Sequence, residues 1–214
     1  YAIEDYKGSR FGSSFSLNGP SGNLGNFSLA TPGLYNVRNA AAALSFADYL
    51  GADINLLREG LAQFGGVARR FHYRGEKNGI SFIDDYAHLP TEVSSVLQAA
   101  KEGDWGRIIC VFQPHRYSRT QDFWNDFSHS FQNADVVYVT GIYSAGESPI
   151  PGVSGRLIAD IVRDSESGKQ VVYCEHRTDL VDSIRSELTQ GDLCLTLGAG
   201  DITTLPNELM SELA

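Results

Sequence analysis

The sequence predicts an α/β protein with a doubly wound, mostly parallel sheet, preceded by a smaller unit of short strands and two helices. From residue 71 onward, short apolar runs alternate regularly with amphipathic helical patterns. Right-handed crossovers between parallel strands place helices on both faces of such a sheet. Before residue 71 the composition and the apolar spacing are different, which indicates a second unit.

This first unit is predicted to span residues 1–67. Residues 1–30 are rich in Gly, Ser and Asn, and the alternating runs at 14–17 and 26–29 predict short antiparallel strands. A turn is predicted at 31–33, where Pro and Gly follow Thr. These strands are expected to form the edge of a larger structure.

Two helices are predicted to complete the first unit. Apolar residues recur at helical spacing from Val37 to Leu44 in an alanine-rich segment that ends near residue 50. Asp53 is expected to cap a second helix, which Gly65-Gly66 closes. The boundary between the units is therefore placed at residues 65–68.

The second unit, residues 68–214, is predicted to be a Rossmann-like α/β domain. Strands are expected near residues 71–76, 80–85, 107–112, 135–140, 170–174 and 192–197. The helices between them are recognised by four apolar stripes: Val93, Val96, Leu97 and Ala100; Phe123, Phe127 and Phe131; Leu157, Ile158, Ile161 and Val162; Leu180, Val181, Ile184 and Leu188.

Composition limits the partners and the compartment. A formal net charge of −9 argues against a nucleic-acid or anionic-membrane surface, because both need a continuous basic face. No apolar run approaches the ~18 residues of a membrane span, and the N-terminus does not resemble a signal peptide, so a cytoplasmic protein is predicted. Cys110, Cys174 and Cys194 lie in apolar runs without CxxC spacing, which predicts buried free thiols.

Polar residues collect after the predicted strands. The ends of parallel strands meet at one edge of a sheet, and ligands bind there. Five segments are therefore expected to share one rim: Asp85-Tyr86-Ala87-His88, Gln113–Thr120, Gly141–Glu147, Glu175-His176-Arg177 and Gly198-Ala199-Gly200-Asp201.

Arg116 and Arg119 are the strongest candidates on this rim. Their forked guanidinium groups can hold a carboxylate or a phosphate, and His115 precedes them. The alternative is a pair of surface arginines without a ligand. Asp85 has its own alternative as a turn residue, and Pro90-Thr91 can simply start a helix.

The sequence lacks the motifs of several well-known catalytic and metal-binding sites. No GxSxG, HExxH or GxGxxG pattern occurs, and no Cys/His spacing typical of a metal site is present, so no metal site is predicted. The phosphate-binding sequence G-x-x-x-x-G-K-[ST] is also absent from these residues.

At this point the motifs resemble those of the Mur ligases. The resemblance covers essentially the whole sequence and is closest to the alanine-adding members. Asp84-Asp85-Tyr86-Ala87-His88-Leu89-Pro90-Thr91-Glu92 is similar to D-D-Y-[AG]-H-H-P-T-E, and Gln113–Thr120 is similar to Q-P-H-R-Y-[ST]-R-T. Gly33–Asn39 resembles G-x-H-N-x-x-N, and Gly66–Phe71 resembles the junction to the family's C-terminal domain. Tyr35 and Leu89 each replace a histidine of the family pattern.

The resemblance implies a reaction and a division of roles. The expected activity is ATP-dependent ligation of L-alanine to UDP-N-acetylmuramate through an acyl phosphate, in peptidoglycan biosynthesis, with Mg²⁺ as a further cofactor. The implied contacts are Asn36 and Asn39 with adenine, Arg70 and Asp85 with the ribose and phosphates, and Tyr86, His88, Arg116 and Arg119 with the amino acid. Of these, His88, Arg116 and Arg119 are the implied catalytic residues.

The resemblance also implies that the sequence is a C-terminal part. Residues 1–67 would be the tail of a central ATPase domain, and residues 68–214 the C-terminal domain. The uridine-nucleotide domain, the phosphate-binding loop and most magnesium ligands would lie outside it, so the chain alone is expected to be inactive. Two alternatives stay open: a non-catalytic Rossmann-like module that binds an anionic metabolite or a partner, and the related murein tripeptide ligase.

Overall fold

The computed structural model describes residues 1–213, which divide into two compact units. The first unit comprises Tyr1–Val67 together with Gln98–Asp104. The second comprises Ala68–Leu97 and the chain from Trp105 onward.

The first unit is a small antiparallel sheet covered by helices. Its elements are β1 (Ala2–Ser9), β2 (Gly12–Gly19), β3 (Gly22–Leu29), α1 (Leu34–Tyr49) and α2 (Ile54–Gln63), and the strand order is β1-β2-β3. Phe15 and Phe27 stack with ring centroids 5.6 Å apart and pack with Val37 and Leu44 of α1 in one core cluster. Asp53 caps α2 by accepting a hydrogen bond from the N–H of Asn55 at 2.8 Å.

The second unit contains the predicted mostly parallel sheet. Its strands are β4 (His72–Lys77), β5 (Ile80–Asp85), β6 (Ile108–Phe112), β7 (Val136–Thr140), β8 (Gln170–Cys174) and β9 (Leu193–Leu197), in the order β4-β5-β9-β6-β7-β8. Only β4 is antiparallel to its neighbour. The α/β class predicted from the alternating pattern is confirmed.

The strands β5, β6, β7 and β9 are buried along their whole length, which explains why they read as continuous apolar runs. Cys110 and Cys194 lie on adjacent strands and Cys174 on β8, and all three are free and buried, as predicted. Burial raises the pKa of the Cys194 thiol to about 12, which makes this group unreactive near neutral pH.

The helices of the second unit are α3 (Pro90–Lys101), α4 (Tyr117–Phe123), α5 (Arg156–Ser165), α6 (Arg177–Glu187) and α7 (Leu205–Glu212), with 3₁₀ turns at Trp124–His129 and Asp201–Thr204. In residues 1–213, no helix has the length and apolar character that crossing a membrane requires.

The predicted phenylalanine stripe is only partly correct. Phe127 and Phe131 pack on Phe112, with ring centroids at 5.2 and 5.5 Å, but Phe123 is 42% exposed. The α-helix ends at Phe123, and the following turn is a 3₁₀ helix. Three residues per turn instead of 3.6 break the i, i+4 alignment, so Phe123 leaves the buried face.

Candidate functional site

The carboxyl ends of the parallel strands are joined into one rim by backbone hydrogen bonds. The N–H of Gln113 donates to the carbonyl of Leu197 at 2.9 Å, and that of Gly198 donates to the carbonyl of Asp85 at 3.1 Å. Gly198 has φ +155°, and a Cβ there would lie 3.0 Å from the Gln113 carbonyl, so this junction requires glycine. The turns after β5, β6 and β9 are therefore held together.

The turn after β7 joins the same rim. His115 and Tyr143 form a parallel bridge, and the N–H of Arg116 donates to the carbonyl of Tyr143 at 2.8 Å. In return, the N–H of Tyr143 donates to the carbonyl of Pro114 at 2.9 Å. The turns that carry the predicted arginines and the predicted Gly141–Glu147 segment are thus paired over several residues.

Asp85 is completely buried at the end of β5. Its Oδ2 accepts from the N–H of Phe71 at 2.6 Å, and its Oδ1 accepts from the N–H of Ala87 at 2.8 Å. Burial raises the pKa of this carboxyl group to about 6, although these hydrogen bonds and the charge of Arg70 lower it. In this conformation the carboxylate orders the backbone at Phe71 and at Ala87. A contact of Asp85 with a nucleotide stays a prediction.

Tyr86 lies beneath two arginines. The guanidinium carbon of Arg69 is 4.9 Å from the ring centroid, and that of Arg70 is 5.6 Å from it. The carbonyl of Arg69 also accepts from the N–H of Tyr86 at 2.8 Å. Arg69 therefore fixes both the backbone and the ring of Tyr86, while Arg70 is exposed.

Arg69 was not among the predicted site residues. Its guanidinium group donates to the carbonyls of Gly198 at 2.6 Å, Gly200 at 3.1 Å and Ala199 at 3.4 Å. Its Nε also lies 3.6 Å from Asp84 Oδ2. One side chain thus connects the turns after β5 and β9, which are more than a hundred residues apart in the chain.

His88 is anchored from two directions. Its Nδ1 lies 3.0 Å from the carbonyl of Tyr86 and 3.5 Å from Glu92 Oε2. The same Glu92 oxygen accepts from the backbone N–H groups of His88 and Leu89, at 2.9 and 3.1 Å. Glu92 therefore fixes the start of α3 and the backbone of His88 together.

The ring of His115 lies between those of His88 and Tyr143. The centroid distances are 5.5 Å to His88 and 5.8 Å to Tyr143, and the Tyr143 ring is nearly parallel, at 14°. Arg119 Nη1 lies 2.8 Å from His115 Nδ1. Arg119 and His88, both predicted for the site, are therefore brought together by a third side chain, His115, which was predicted to lie on the rim but was given no role of its own.

Arg116 lies at the start of α4 with φ +72° and a half-exposed side chain. Its Nη1 is 4.0 Å from Glu147 Oε1. Ser118 donates to the two oxygens of Glu147, from its hydroxyl at 2.7 Å and its N–H at 3.0 Å, and these bonds lower the pKa of that carboxyl group. The ionised Glu147 therefore holds the first turn of α4 against the Gly141–Glu147 turn.

The remaining predicted residues are divided between the two units. Asn36 and Asn39 are on α1 of the first unit; Asn36 Nδ2 donates to the carbonyl of Pro32 at 2.7 Å, and Asn39 is exposed. In the second unit, a polar pocket of about 420 Å³ is lined in part by Gln113, Glu175 and Asp201. Within residues 1–213, no three His, Cys, Asp or Glu side chains are grouped so that they could hold a metal ion.

Comparison with known proteins identifies similar sequences over the whole chain. A family profile described as "Mur ligase, glutamate ligase domain" matches residues 69–200. The chain is 42% identical over 210 residues to a UDP-N-acetylmuramate–L-alanine ligase from Myxococcus xanthus, which covers 98% of this chain and 44% of the relative. The corresponding enzyme from Thermobifida fusca is 41% identical over 222 residues, covering 100% of this chain and 46% of the relative.

Comparison with solved structures agrees with the sequence comparison. The UDP-N-acetylmuramate–alanine ligase from Thermotoga maritima superposes with a TM-score of 0.79 at 29% identity, over 98% of this chain and 45% of that one. A murein peptide ligase from Psychrobacter arcticus superposes with a TM-score of 0.64, but at 20% identity it supports the fold alone. The chain spans less than half the length of the curated relatives it matches.

Proposed function

The chain belongs to the Mur ligase family, and from that premise we propose that it is the C-terminal part of an ATP-dependent ligase that joins L-alanine to UDP-N-acetylmuramate. The observation that carries the proposal is the meeting of Arg116, Arg119 and His88 on one rim, where a small zwitterion would find cations and an imidazole. The names of the relatives support alanine as the amino acid. The reaction belongs to peptidoglycan biosynthesis, and the predicted cytoplasmic location is part of the same proposal.

In this proposal the arginines recognise the carboxylate of the amino acid. Arg116 is half exposed, and its one ion pair within residues 1–213 is the contact of Nη1 with Glu147 Oε1 at 4.0 Å. A guanidinium group can hold a carboxylate through two parallel hydrogen bonds, which is stronger than its long contact with Glu147. Arg119 contributes a second positive charge from the same helix.

The amine of the amino acid is assigned to His88. The carbonyl of Tyr86 only accepts, so Nδ1 of His88 carries the hydrogen, and Nε2 of the neutral ring has the lone pair. That nitrogen can take a proton from the amine as it attacks. Tyr86, whose ring contacts Arg69 and Arg70, forms the adjoining wall.

The nucleotide contacts are proposed for each unit by itself. ATP supplies the γ-phosphoryl group that activates the muramate carboxylate, so that the amine can displace phosphate. Arg70 is exposed and available to an anion, and Asn39 presents an exposed amide. Asn36 uses its NH₂ group within the chain, which leaves its Oδ1 for adenine. Mg²⁺ would be held by residues outside this sequence.

The test uses the full-length protein that contains this chain. We expect phosphate release from ATP that depends on UDP-N-acetylmuramate and L-alanine, and no stimulation by a murein tripeptide. Arg116→Ala should lower kcat/KM for alanine. The loss should correspond to at least ~1 to 3 kcal/mol of transition-state stabilisation, since a charge-assisted contact is lost.

Arg185→Ala is the matched control, because within residues 1–213 the ion pairs of Arg185 are with Asp182 and Glu212 on an exposed surface. It should leave the alanine kinetics unchanged. Unchanged alanine kinetics in Arg116→Ala would contradict the assignment of the site, and a preference for the tripeptide would contradict the choice of substrate.

A further inference from the structure

The hydrogen bond between Arg119 and His115 determines where the proton of His115 lies. A guanidinium group donates hydrogen bonds and accepts none. Because Arg119 Nη1 is 2.8 Å from His115 Nδ1, that nitrogen must accept with its lone pair. The ring is therefore neutral, and its single N–H is on Nε2.

The neighbouring imidazole has the opposite arrangement. Nδ1 of His88 faces the Tyr86 carbonyl at 3.0 Å and the Glu92 carboxylate at 3.5 Å, and both of these groups accept. In its neutral form His88 therefore exposes a lone pair at Nε2, whereas His115 exposes an N–H. Across residues 1–213, neither Nε2 atom has a hydrogen-bond partner.

The surroundings keep His115 neutral. Partial burial and the charges of Arg119, His88 and Arg116 lower the pKa of His115, and only Glu147 opposes them. Protonation would place a hydrogen on Nδ1, facing the Arg119 guanidinium. His115 therefore retains an acceptor at Nδ1 and a donor at Nε2 through neutral pH.

We propose that His115 contacts the amino-acid substrate directly and donates its Nε2–H to the carboxylate that Arg116 holds, with Arg119 fixing the tautomer. A carboxylate offers about four acceptor positions, so a bidentate arginine leaves room for this neutral donor. The two imidazoles then recognise the two ends of an amino acid: His115 donates to the carboxylate, and His88 accepts from the amine. This inference rests on the proposed function.

Two substitutions separate this role from simple support of Arg119. The amide of His115→Gln can place a donor near the position of Nε2 but loses the acceptor at Nδ1. His115→Asn keeps an acceptor near Nδ1 and loses the donor at Nε2. If the donor contacts the substrate, His115→Asn should raise the alanine KM about 10- to 100-fold, as loss of a hydrogen bond to a charged group does, and His115→Gln much less. A larger increase of the alanine KM in His115→Gln than in His115→Asn would overturn the inference. An unchanged alanine KM in both variants would overturn it as well.

The controls use the full-length protein. His72→Gln changes an exposed histidine on β4 and should leave the kinetics unchanged. Thermal unfolding of all three variants identifies any that fails to fold. If a variant fails to fold, nitrogen NMR of the wild-type protein still tests the inference.

Nitrogen NMR of the imidazole rings tests the tautomer without any substrate. Long-range ¹H–¹⁵N correlations should show Nδ1 of His115 unprotonated and Nε2 protonated, and the opposite for neutral His88. Adding L-alanine should shift the Nε2 resonance of His115. A His115 with its proton on Nδ1, or an Nε2 resonance unaffected by bound alanine, would overturn the inference. Wild-type protein without alanine-dependent turnover would instead contradict the proposed function.

Discussion

Replacement of Arg69 by lysine is expected to loosen the turn after β9 and the ring of Tyr86. Arg69 donates to the Gly198 carbonyl at 2.6 Å and the Gly200 carbonyl at 3.1 Å, with a longer contact to Ala199 at 3.4 Å. A lysine ammonium has only one nitrogen and cannot lie flat over a ring while bonding several carbonyls. The substitution therefore keeps the positive charge but loses the planar group that bonds several carbonyls while it lies over the ring of Tyr86.

The size of the effect follows from these contacts. Loss of one good charged hydrogen bond costs about 1.5 to 3 kcal/mol, and loss of the stacking on Tyr86 about 0.5 to 1 kcal/mol. The side chain is 28% exposed, so water replaces part of what is lost, and a total of about 2 kcal/mol is expected. For a chain of this size, that lowers the unfolding temperature by about 4 to 8 °C.

Arg74→Lys is the matched control for Arg69→Lys. Arg74 shares Asp84 with Arg69 but contacts it at 3.8 Å, and its bonds to Thr203 and Asn207 are 3.2 Å or longer. Its replacement is expected to cost less than about 1 kcal/mol. Thermal unfolding of both variants is the measurement, and the alanine KM of the full-length protein should rise only for Arg69→Lys. An equal loss of stability in Arg69→Lys and Arg74→Lys would refute the special role of the Arg69 guanidinium group.

Four further predictions concern the fold and the site. Because burial raises the pKa of Asp85 to about 6, wild-type stability should fall by up to ~3 kcal/mol as pH rises from about 4 to 6, and urea unfolding of Asp85→Asn should show no such step. Phe131→Ala should cost about 3 to 5 kcal/mol in urea unfolding, since the ring is fully buried; exposed Phe123→Ala is its control. Glu147→Gln should change the alanine KM but not the ATP KM, because Glu147 anchors α4 through Ser118. The 214-residue chain alone should release no phosphate from ATP in the presence of alanine, and any such release would contradict its proposed status as a C-terminal part.

Most of the sheet was predictable because β5, β6, β7 and β9 are buried along their whole length. The bounds of each of the six predicted strands differ from the observed ones by at most one residue. For the buried strands, a continuous apolar run bounded by polar turns has few other interpretations. The final helix α7 was not predicted, because Pro206 and the short apolar spacing of Leu205–Glu212 are weak signals. The change from α to 3₁₀ geometry after Phe123 also has no sequence signal that we can identify.

From the sequence, the location of the site on one rim of the sheet was predictable, but the contacts within it were not. Arg116, Arg119 and His88 follow strands of one parallel sheet, so topology alone brings their turns together. The role of Arg69 depends on carbonyls about 130 positions away in the chain. The tautomer of His115 depends on which nitrogen Arg119 reaches, which no residue pattern specifies.

Backbone conformation explains why this rim needs buried polar support. Among residues 1–213, six non-glycine residues have positive φ, and four of them border the site: Arg69, Phe71, Arg116 and Ala145. A left-handed conformation costs a residue with a side chain about 1 to 2 kcal/mol. Asp85 offsets this cost at Phe71 with a 2.6 Å hydrogen bond to its N–H, and the Tyr143 carbonyl does the same for Arg116 at 2.8 Å. A substitution that removes the Asp85 carboxylate should therefore displace the site before it unfolds the sheet.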